Sequence, residues 1–188
     1  MLQTVTKNYS FEDYLNYRDH TDLKYELFNG ELVPMPPASG LHAEILRFIY
    51  NILNAEIQRL QLECVAWPGN VGVRTGIKQS RIPDILVINQ EQRQLLRTLS
   101  SAILEEPPLL AVEIVSPGNP EEDYRYKRSE YAALGIPEYW IIDPQELKIS
   151  ILTLVDGFYD VVEFRGEDAI AFPTFPELKL TVAQIFNV

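Results

Sequence analysis

Two carboxylates set in apolar sequence are the most chemically suggestive side chains of the chain. Asp84 lies in the apolar run 82–88, and Glu113 lies in the apolar run 109–115. A polar helical segment that carries Lys127 follows the second run. Two acids on adjacent buried strands with a lysine beside them are the groups that metal-dependent phosphodiester hydrolysis needs. The acids hold a divalent cation, and the lysine offsets the negative charge that develops on the phosphate.

The strand pattern places both acids on apolar faces, because side chains alternate between the two faces of a strand. The residues that share these faces are Ile82, Leu86 and Ile88 for Asp84, and Leu109, Ala111 and Val115 for Glu113. A carboxylate that leaves water without a partner costs several kcal/mol. Each acid therefore needs a cation, a set of hydrogen bonds or a proton, and one shared metal ion would serve both.

Helical periodicity predicts that Lys127 faces the core. Lys127, Tyr131 and Leu134 follow the i, i+4, i+7 spacing of one helix face, and Asp123 and Tyr124 lie one turn earlier on the same side. An inward lysine beside two inward acids serves either a catalytic site or a structural cluster of salt bridges. The spacing alone leaves both interpretations open.

Length and composition favour an ordinary globular protein. The chain has 188 residues, of which 46% are hydrophobic and 23% charged, and we expect residues 1–188 to form a single domain. The lone cysteine, Cys64, excludes an intrachain disulfide and a Cys-rich metal site, and we expect it in the core. No apolar run is long enough to span a membrane, and residues 1–10 do not resemble a signal peptide. We therefore expect a cytoplasmic protein with no membrane partner.

The net charge of −11 argues against extensive wrapping of nucleic acid, because binding to phosphates depends on gathered Lys and Arg side chains. Basic residues do cluster at 78–81, 93–97 and 125–128, and a local basic lip stays compatible with a nuclease. A solvated surface is the simpler interpretation of each cluster.

The first half of the chain predicts a short helix, a hairpin and a long helix. Ser10 caps a helix to about residue 18, and Asn29-Gly30 between alternating runs predicts a tight hairpin. Pairing across that turn places Glu26 and Glu31 on one face, which we expect to meet water. Ser39 caps a helix to about residue 62, whose apolar stripe begins at Leu41. A strand interrupted at 67–70 follows, and residues 91–104 form either a helix or a variable excursion.

The second half predicts a crossover helix and a final hairpin. Asn119 caps a helix whose capping box is closed by Glu122 and which ends at Gly135. A buried strand at 139–142, a hairpin across Asp156-Gly157 and a short helix capped by Thr181 follow. This order predicts an α/β fold, in which helices flank a mixed central sheet, with an N-terminal β-hairpin and a C-terminal hairpin.

Several segments together resemble the Uma-type endonuclease family, which belongs to the PD-(D/E)xK nuclease superfamily. They are YELFNGEL at 25–32, PPAS at 36–39 followed by His42, IPDI at 82–85, VEIVSP at 112–117, and the stretch from Lys127 through Tyr131, Gly135 and PEYW at 137–140 to Asp143-Pro144. The resemblance covers nearly the whole chain. It implies a restriction-endonuclease-like core that acts on DNA with Mg²⁺ or Mn²⁺.

The resemblance also implies roles for particular residues. Asp84 and Glu113 match the acids of the motif and would hold the metal together with the backbone carbonyl of Ile114. The motif lysine should stand two residues after Glu113, where this chain has Val115, so Lys127 on the following helix would replace it. Beyond the resemblance, we hypothesise that Glu26, Glu31 or Glu44 supplies a further carboxylate with His42 as an outer partner, and that Asp123 only steadies Lys127. A homodimer is expected, because cutting both strands usually takes two sites.

Two alternatives remain at this stage. One is a catalytically silent, dimeric binding module of the same fold, which Val115 and the overall acidity favour. The other is a metal-dependent hydrolase of small phosphate esters, which would have a narrow closed pocket. An open groove lined by Arg81, Arg125 and Arg128 would favour DNA instead.

Overall fold

The computed structural model describes residues 8–21 and 23–188, and within them one long helix and several short ones are interspersed with eleven strands. The helices are α1 (Phe11–Leu15), α2 (Gly40–Leu60), α3 (Gln90–Leu96), α4 (Arg128–Leu134) and α5 (Val182–Phe186), and a π-helical turn (Glu122–Lys127) runs directly into α4. The strands are β1 (Tyr25–Phe28), β2 (Glu31–Pro34), β3 (Cys64–Pro68), β4 (Gly72–Gly76), β5 (Gln79–Arg81), β6 (Ile85–Asn89), β7 (Ile103–Leu104), β8 (Leu110–Ile114), β9 (Glu138–Asp143), β10 (Lys148–Val155) and β11 (Phe158–Arg165).

The strands form two sheets. The central sheet has six strands in the order β11-β10-β9-β8-β6-β3, and β8 and β9 pair in parallel while the other neighbours are antiparallel. The predicted mixed sheet with flanking helices is confirmed. The C-terminal hairpin, β10 and β11, forms one edge of this sheet. The N-terminal hairpin belongs to a second sheet, in the order β2-β1-β5-β4-β7, which the sequence did not predict.

Both faces of the central sheet are buried at its inner strands β6, β8 and β9. On one face, α2 and the C-terminal segment with α5 pack against side chains such as Ile85, Val112 and Trp140. On the other face, Tyr131 of α4 and Val73 of the second sheet pack against the side chains that alternate with these. Because Asp84 and Glu113 alternate with the first set, they belong to the face that carries α4 and the second sheet.

The N-terminal hairpin forms as predicted. Asn29 and Gly30 have φ angles of 49° and 83°, which a tight hairpin turn requires, and Glu26 pairs with Val33 while Phe28 pairs with Glu31. Glu31 is exposed, but Glu26 is 7% exposed, so the expectation that both acids meet water is wrong for Glu26.

Several predicted boundaries differ from the structure. The first helix ends at Leu15, because the Asn16 side chain turns back to the carbonyl of Glu12. The interrupted strand is two strands, β3 and β4, which lie in different sheets. The segment 91–104 is helical only to Leu96, and Leu41 is exposed although α2 begins one residue earlier. Ser39 and Thr181 cap their helices as predicted, and Cys64 is buried, which raises the pKa of its thiol.

Of the helices formed by the described residues, none combines the length and apolar character needed to cross a bilayer.

Candidate active site

Strand pairing brings the two candidate acids together. β6 and β8 are antiparallel neighbours in which Ile85 pairs with Val112. One further step of this register sets Asp84, just before β6, opposite Glu113 on β8. Residues that face each other across an antiparallel pair have Cβ atoms about 5 Å apart. The two carboxylates therefore share one region of the sheet face that lies under α4.

Asp84 lies directly before β6, and its side chain accepts hydrogen bonds from two other elements. Its Oδ2 accepts a hydrogen bond of 2.7 Å from the N–H of Ile114, and its Oδ1 lies 2.9 Å from Nε2 of His42. His42 stands in the first turn of α2, where the Ser39 side chain accepts from its backbone N–H. The side chain of Asp84 is 16% exposed, so it is the acid of this pair that solvent reaches.

Glu113 is buried and has a partner on each oxygen. The hydroxyl of Tyr131 donates to Oε1 at 2.6 Å, and Nζ of Lys127 lies 2.8 Å from Oε2. Lys127 also lies 2.8 Å from Oδ1 of Asp123, one turn earlier. The prediction that Lys127 faces the core beside Glu113 is confirmed. Val115 is 2% exposed in the apolar core, so the position two residues after Glu113 supplies no cation.

A widened helical turn carries Lys127. Residues Glu122–Lys127 are π-helical, and such turns add a residue to a helix and recur at functional sites. The capping box predicted for Asn119 and Glu122 is absent. The amide of Asn119 donates to the Glu122 carboxylate at 3.4 Å, and the side chain of Glu122 extends to Arg81 instead. The first residue of the π-helical turn, Glu122, therefore pairs with Arg81 of β5.

Electrostatics at Lys127 show an excess of negative charge. Burial raises the pKa of Glu113, Lys127 lowers it, and the nearby Asp123 and Asp84 raise it again, with a net shift well upward. The pKa of Asp123 is also raised, first by burial. Burial lowers the pKa of Lys127, but Glu113 and Asp123 more than compensate and hold its ammonium charged. One ammonium does not neutralise the acids that surround it.

Arg81 occupies a second buried ion cluster next to the first. It is 1% exposed, so the expectation that it lies on a solvated surface or lines an open groove is wrong. Its guanidinium binds Glu26, Glu122 and Glu130. Glu26 also accepts a hydrogen bond of 2.9 Å from the N–H of Ile82. The Glu26 carboxylate is therefore held by Arg81 and by the backbone of Ile82, which lies two residues before Asp84.

The donor set suits a hard divalent cation in its chemistry. Carboxylate oxygens are the ligands that Mg²⁺ prefers, and a bound cation would favour the ionised form of Glu113, whose pKa is raised by burial. The oxygens of Asp84 and Glu113 are, however, engaged with protein donors. Among the described residues, no group of three or more His, Cys, Asp or Glu side chains stands ready to hold a metal. A cation at Glu113 would have to share Oε2 with Lys127 or displace it.

The structure brings some of the predicted site residues together and leaves others apart. Asp84, Glu113, Lys127 and His42 come together, and the N–H of Ile114 binds Asp84. Glu44 is exposed and pairs with Arg47, and exposed Glu31 lies at the hairpin. The partnership of Arg81 with Glu122 and Glu130 was not predicted. No periodic pattern indicates it, because β5 is only three residues long.

The central sheet with opposed acids on neighbouring strands defines a protein of the restriction-endonuclease-like fold class. A nuclease fold from Anabaena variabilis, titled "a putative nuclease belonging to DUF820", superposes with a TM-score of 0.78 and 20% identity over 95% of this chain and 97% of that chain. The uncharacterized protein sll1609 of Synechocystis sp. is 26% identical over 174 residues, which are 90% of this chain and 94% of that protein. The Uma2 family, described as "Putative restriction endonuclease", matches residues 11–183. The chain belongs to the Uma2 family.

Proposed function

We propose that this protein is a Mg²⁺- or Mn²⁺-dependent endonuclease that hydrolyses DNA phosphodiester bonds. The observation that carries the proposal is the contact of 2.8 Å between Lys127 and Glu113, with Asp84 opposite Glu113 across the strand pair. Membership of the Uma2 family and the shared fold support the same reaction class.

Asp84, Glu113 and the backbone carbonyl of Ile114 would hold the metal. When bound, the cation supplies Lewis acidity toward the scissile phosphate and lowers the pKa of water. Asp84 is the acid that solvent and substrate reach, and His42 orients it from α2. An Nε2–H tautomer of His42 donates to Oδ1, which leaves the other lone pairs of Asp84 available as ligands.

Lys127 has two tasks in this proposal. Without metal its ammonium compensates the charge of buried Glu113, and during hydrolysis it stabilises negative charge on the phosphate and orients the attacking water. Asp123 holds Nζ from the preceding turn and so keeps the ammonium beside Glu113.

Cleavage assays with two variants test the proposal. Purified protein is incubated with single- and double-stranded DNA in the presence of Mg²⁺ or Mn²⁺, alongside the variants Asp84→Ala and Lys127→Ala. We expect cleavage that is lost on chelation and strongly reduced in both variants. The matched controls are Asp160→Ala and Lys179→Ala, since both side chains are exposed and lie on strand β11 and the C-terminal segment. Cleavage that survives both test substitutions, or no cleavage with either metal, would refute it.

Assembly and location extend the proposal. We propose a homodimer, because double-strand cleavage needs two sites, and light scattering coupled to gel filtration measures the mass directly.

The single buried cysteine suits a reducing cytoplasm. One domain is proposed from the shared core in which Val73 and Leu104 of the second sheet pack with Leu86 and Ala111 of the central sheet.

A silent binding module is the second candidate, and one observation favours it. Tyr131 and Lys127 satisfy both oxygens of Glu113 without a metal. A structural cluster of this kind needs no cation. Titration calorimetry with Mn²⁺ separates the candidates, because the nuclease should bind Mn²⁺ in a way that Asp84→Ala abolishes, whereas the module should give no heat of binding.

A further inference from the structure

We infer that Arg81 is a positioning residue that clamps the helix carrying Lys127 onto the strand segment that leads to Asp84. The inference rests on the proposed function, since it explains how the two halves of that site are held in register. It gives Arg81, and with it Glu26, a role outside the set of metal ligands.

The guanidinium of Arg81 joins three separate elements. Its Nε donates to Glu130 of α4 at 2.8 Å, and Nη2 donates to the other oxygen of the same carboxylate. Its Nη1 lies 2.7 Å from Glu122 of the π-helical turn and 3.0 Å from Glu26 of β1. All three guanidinium nitrogens of Arg81 therefore contact acids, and the side chain is 1% exposed.

The positions of these three acids show which parts of the proposed site Arg81 connects. Glu122 precedes Lys127 and Glu130 follows it, so Arg81 holds the helix on both sides of the lysine. On the other side, Glu26 bonds both Arg81 and the N–H of Ile82, two residues before Asp84. A displacement of the helix would therefore separate Lys127 from Glu113.

Two further contacts fix the rotamers of this cluster. The hydroxyl of Thr75 donates to Glu130 at 2.7 Å, and the Arg81 guanidinium lies over the Phe28 ring, 4.7 Å from its centroid. The planar fork of arginine can bind a carboxylate through two parallel bonds and stack on an aromatic face, and lysine can do neither in this way. The geometry requires arginine and not just a positive charge.

Amine labelling tests the clamp without reference to activity. In the parent protein, Lys127 is 11% exposed and bound to two acids, so an acylating reagent should modify it far more slowly than exposed Lys179. We expect the labelling rate of Lys127, measured by mass spectrometry relative to Lys179, to rise several-fold in Arg81→Lys and less in Glu122→Gln. The side chain of Glu122 is 26% exposed, so Glu122→Gln is the milder substitution. If Arg81→Lys does not fold, the labelling rate of Lys127 in Glu122→Gln decides the question alone.

Arg74→Lys is the matched control for the labelling experiment. Arg74 lies on the neighbouring strand β4, pairs with Glu105 at 2.6 Å and also stacks on a phenylalanine, so its side-chain partners are outside the helix of Lys127. Its replacement should leave the labelling of Lys127 unchanged. A parental labelling rate for Lys127 in both folded test variants would overturn the inference.

Kinetics separate positioning from binding. The buried guanidinium cannot touch DNA, so Arg81→Lys should lower kcat on the order of 100-fold, as small misplacements of catalytic groups do, with KM for DNA unchanged. A kcat equal to that of the parent would overturn the inference, as would a loss confined to KM. If the parent itself cleaves no DNA, the proposed function fails, while the labelling result still decides whether Arg81 positions Lys127.

Discussion

Glu113 and Lys127 illustrate how single buried side chains are tuned by their neighbours. The acid has the hydroxyl of Tyr131 on one oxygen and the ammonium of Lys127 on the other. Removing one partner of a buried group costs more than the bond contributes, because the remaining group keeps its desolvation penalty. Glu113, Tyr131 and Lys127 therefore depend on one another, because a substitution of one leaves a buried charge or dipole of another without its partner.

The variant Tyr131→Phe tests this dependence. It removes the donor to Oε1 of Glu113 and should lower the free energy of unfolding by about 1–3 kcal/mol, measured by urea denaturation. Tyr126→Phe is the control, because that ring is 41% exposed, and we expect a change within about 0.5 kcal/mol. An equal effect of the two substitutions would contradict the importance of the Tyr131 hydroxyl.

Glu138 allows a test of pH dependence away from the candidate site. Burial raises its pKa from 4.5, although Thr174 and Trp140 donate to it and lower the pKa. A raised pKa in the folded state means that this contribution to stability is present below pH 4.5 and is lost as the pH rises through the folded value. Relative to the parent, Glu138→Gln should therefore become more stable as the pH rises. Urea unfolding across that range measures the difference, and a stability difference between the variant and the parent that does not change with pH would contradict the prediction.

The elements of the fold depend on turns and helix ends that set their direction. The π-helical turn places Asp123 and Lys127 toward the central sheet, and the tight turn at Asp156-Gly157 joins β10 to β11. Both turn residues have positive φ, at 48° and 84°. Such angles suit glycine, because a side chain in this region is strained.

Two glycine substitutions should have opposite effects on stability. An added methyl group would meet open space at both Gly157 and Gly40, so backbone conformation alone decides the outcome. Gly157→Ala should destabilise by about 1 kcal/mol because of its positive φ, whereas Gly40→Ala, at the start of α2, should be neutral or stabilise by up to about 1 kcal/mol. Thermal unfolding of both variants measures this, and the same sign in both would contradict the explanation.

The whole molecule carries a net charge of −11, and its buried clusters are acidic as well. Five acids, Glu26, Glu113, Glu122, Asp123 and Glu130, form ion pairs with the two cationic side chains Arg81 and Lys127 within the described part of the chain, and Asp84 lies opposite Glu113. Long-range attraction of DNA is therefore weak. Any binding of DNA must depend on local contacts and on the proposed cation.

The salt and metal dependence of DNA binding should reflect this charge. Between about 50 and 200 mM salt, we expect affinity to fall far less than the roughly 1000-fold or more seen with six to ten phosphate contacts. We expect it to fall strongly when the divalent cation is removed. Fluorescence anisotropy with a labelled duplex measures both, and it uses the Lys127→Ala variant, which the proposed function expects not to cleave. A steep salt dependence without metal would show a basic surface instead.

The sequence by itself determined the local features of this protein. Alternation placed Asp84 and Glu113 each on an apolar face of its own strand, helical spacing turned Lys127 inward, and Asn29-Gly30 set a hairpin, because these depend on residues close in the chain. Only the tertiary structure decided that β1, β4 and β5 form a second sheet and that Arg81 is buried among Glu26, Glu122 and Glu130. Those contacts join residues as much as 55 positions apart, and no local periodicity records them.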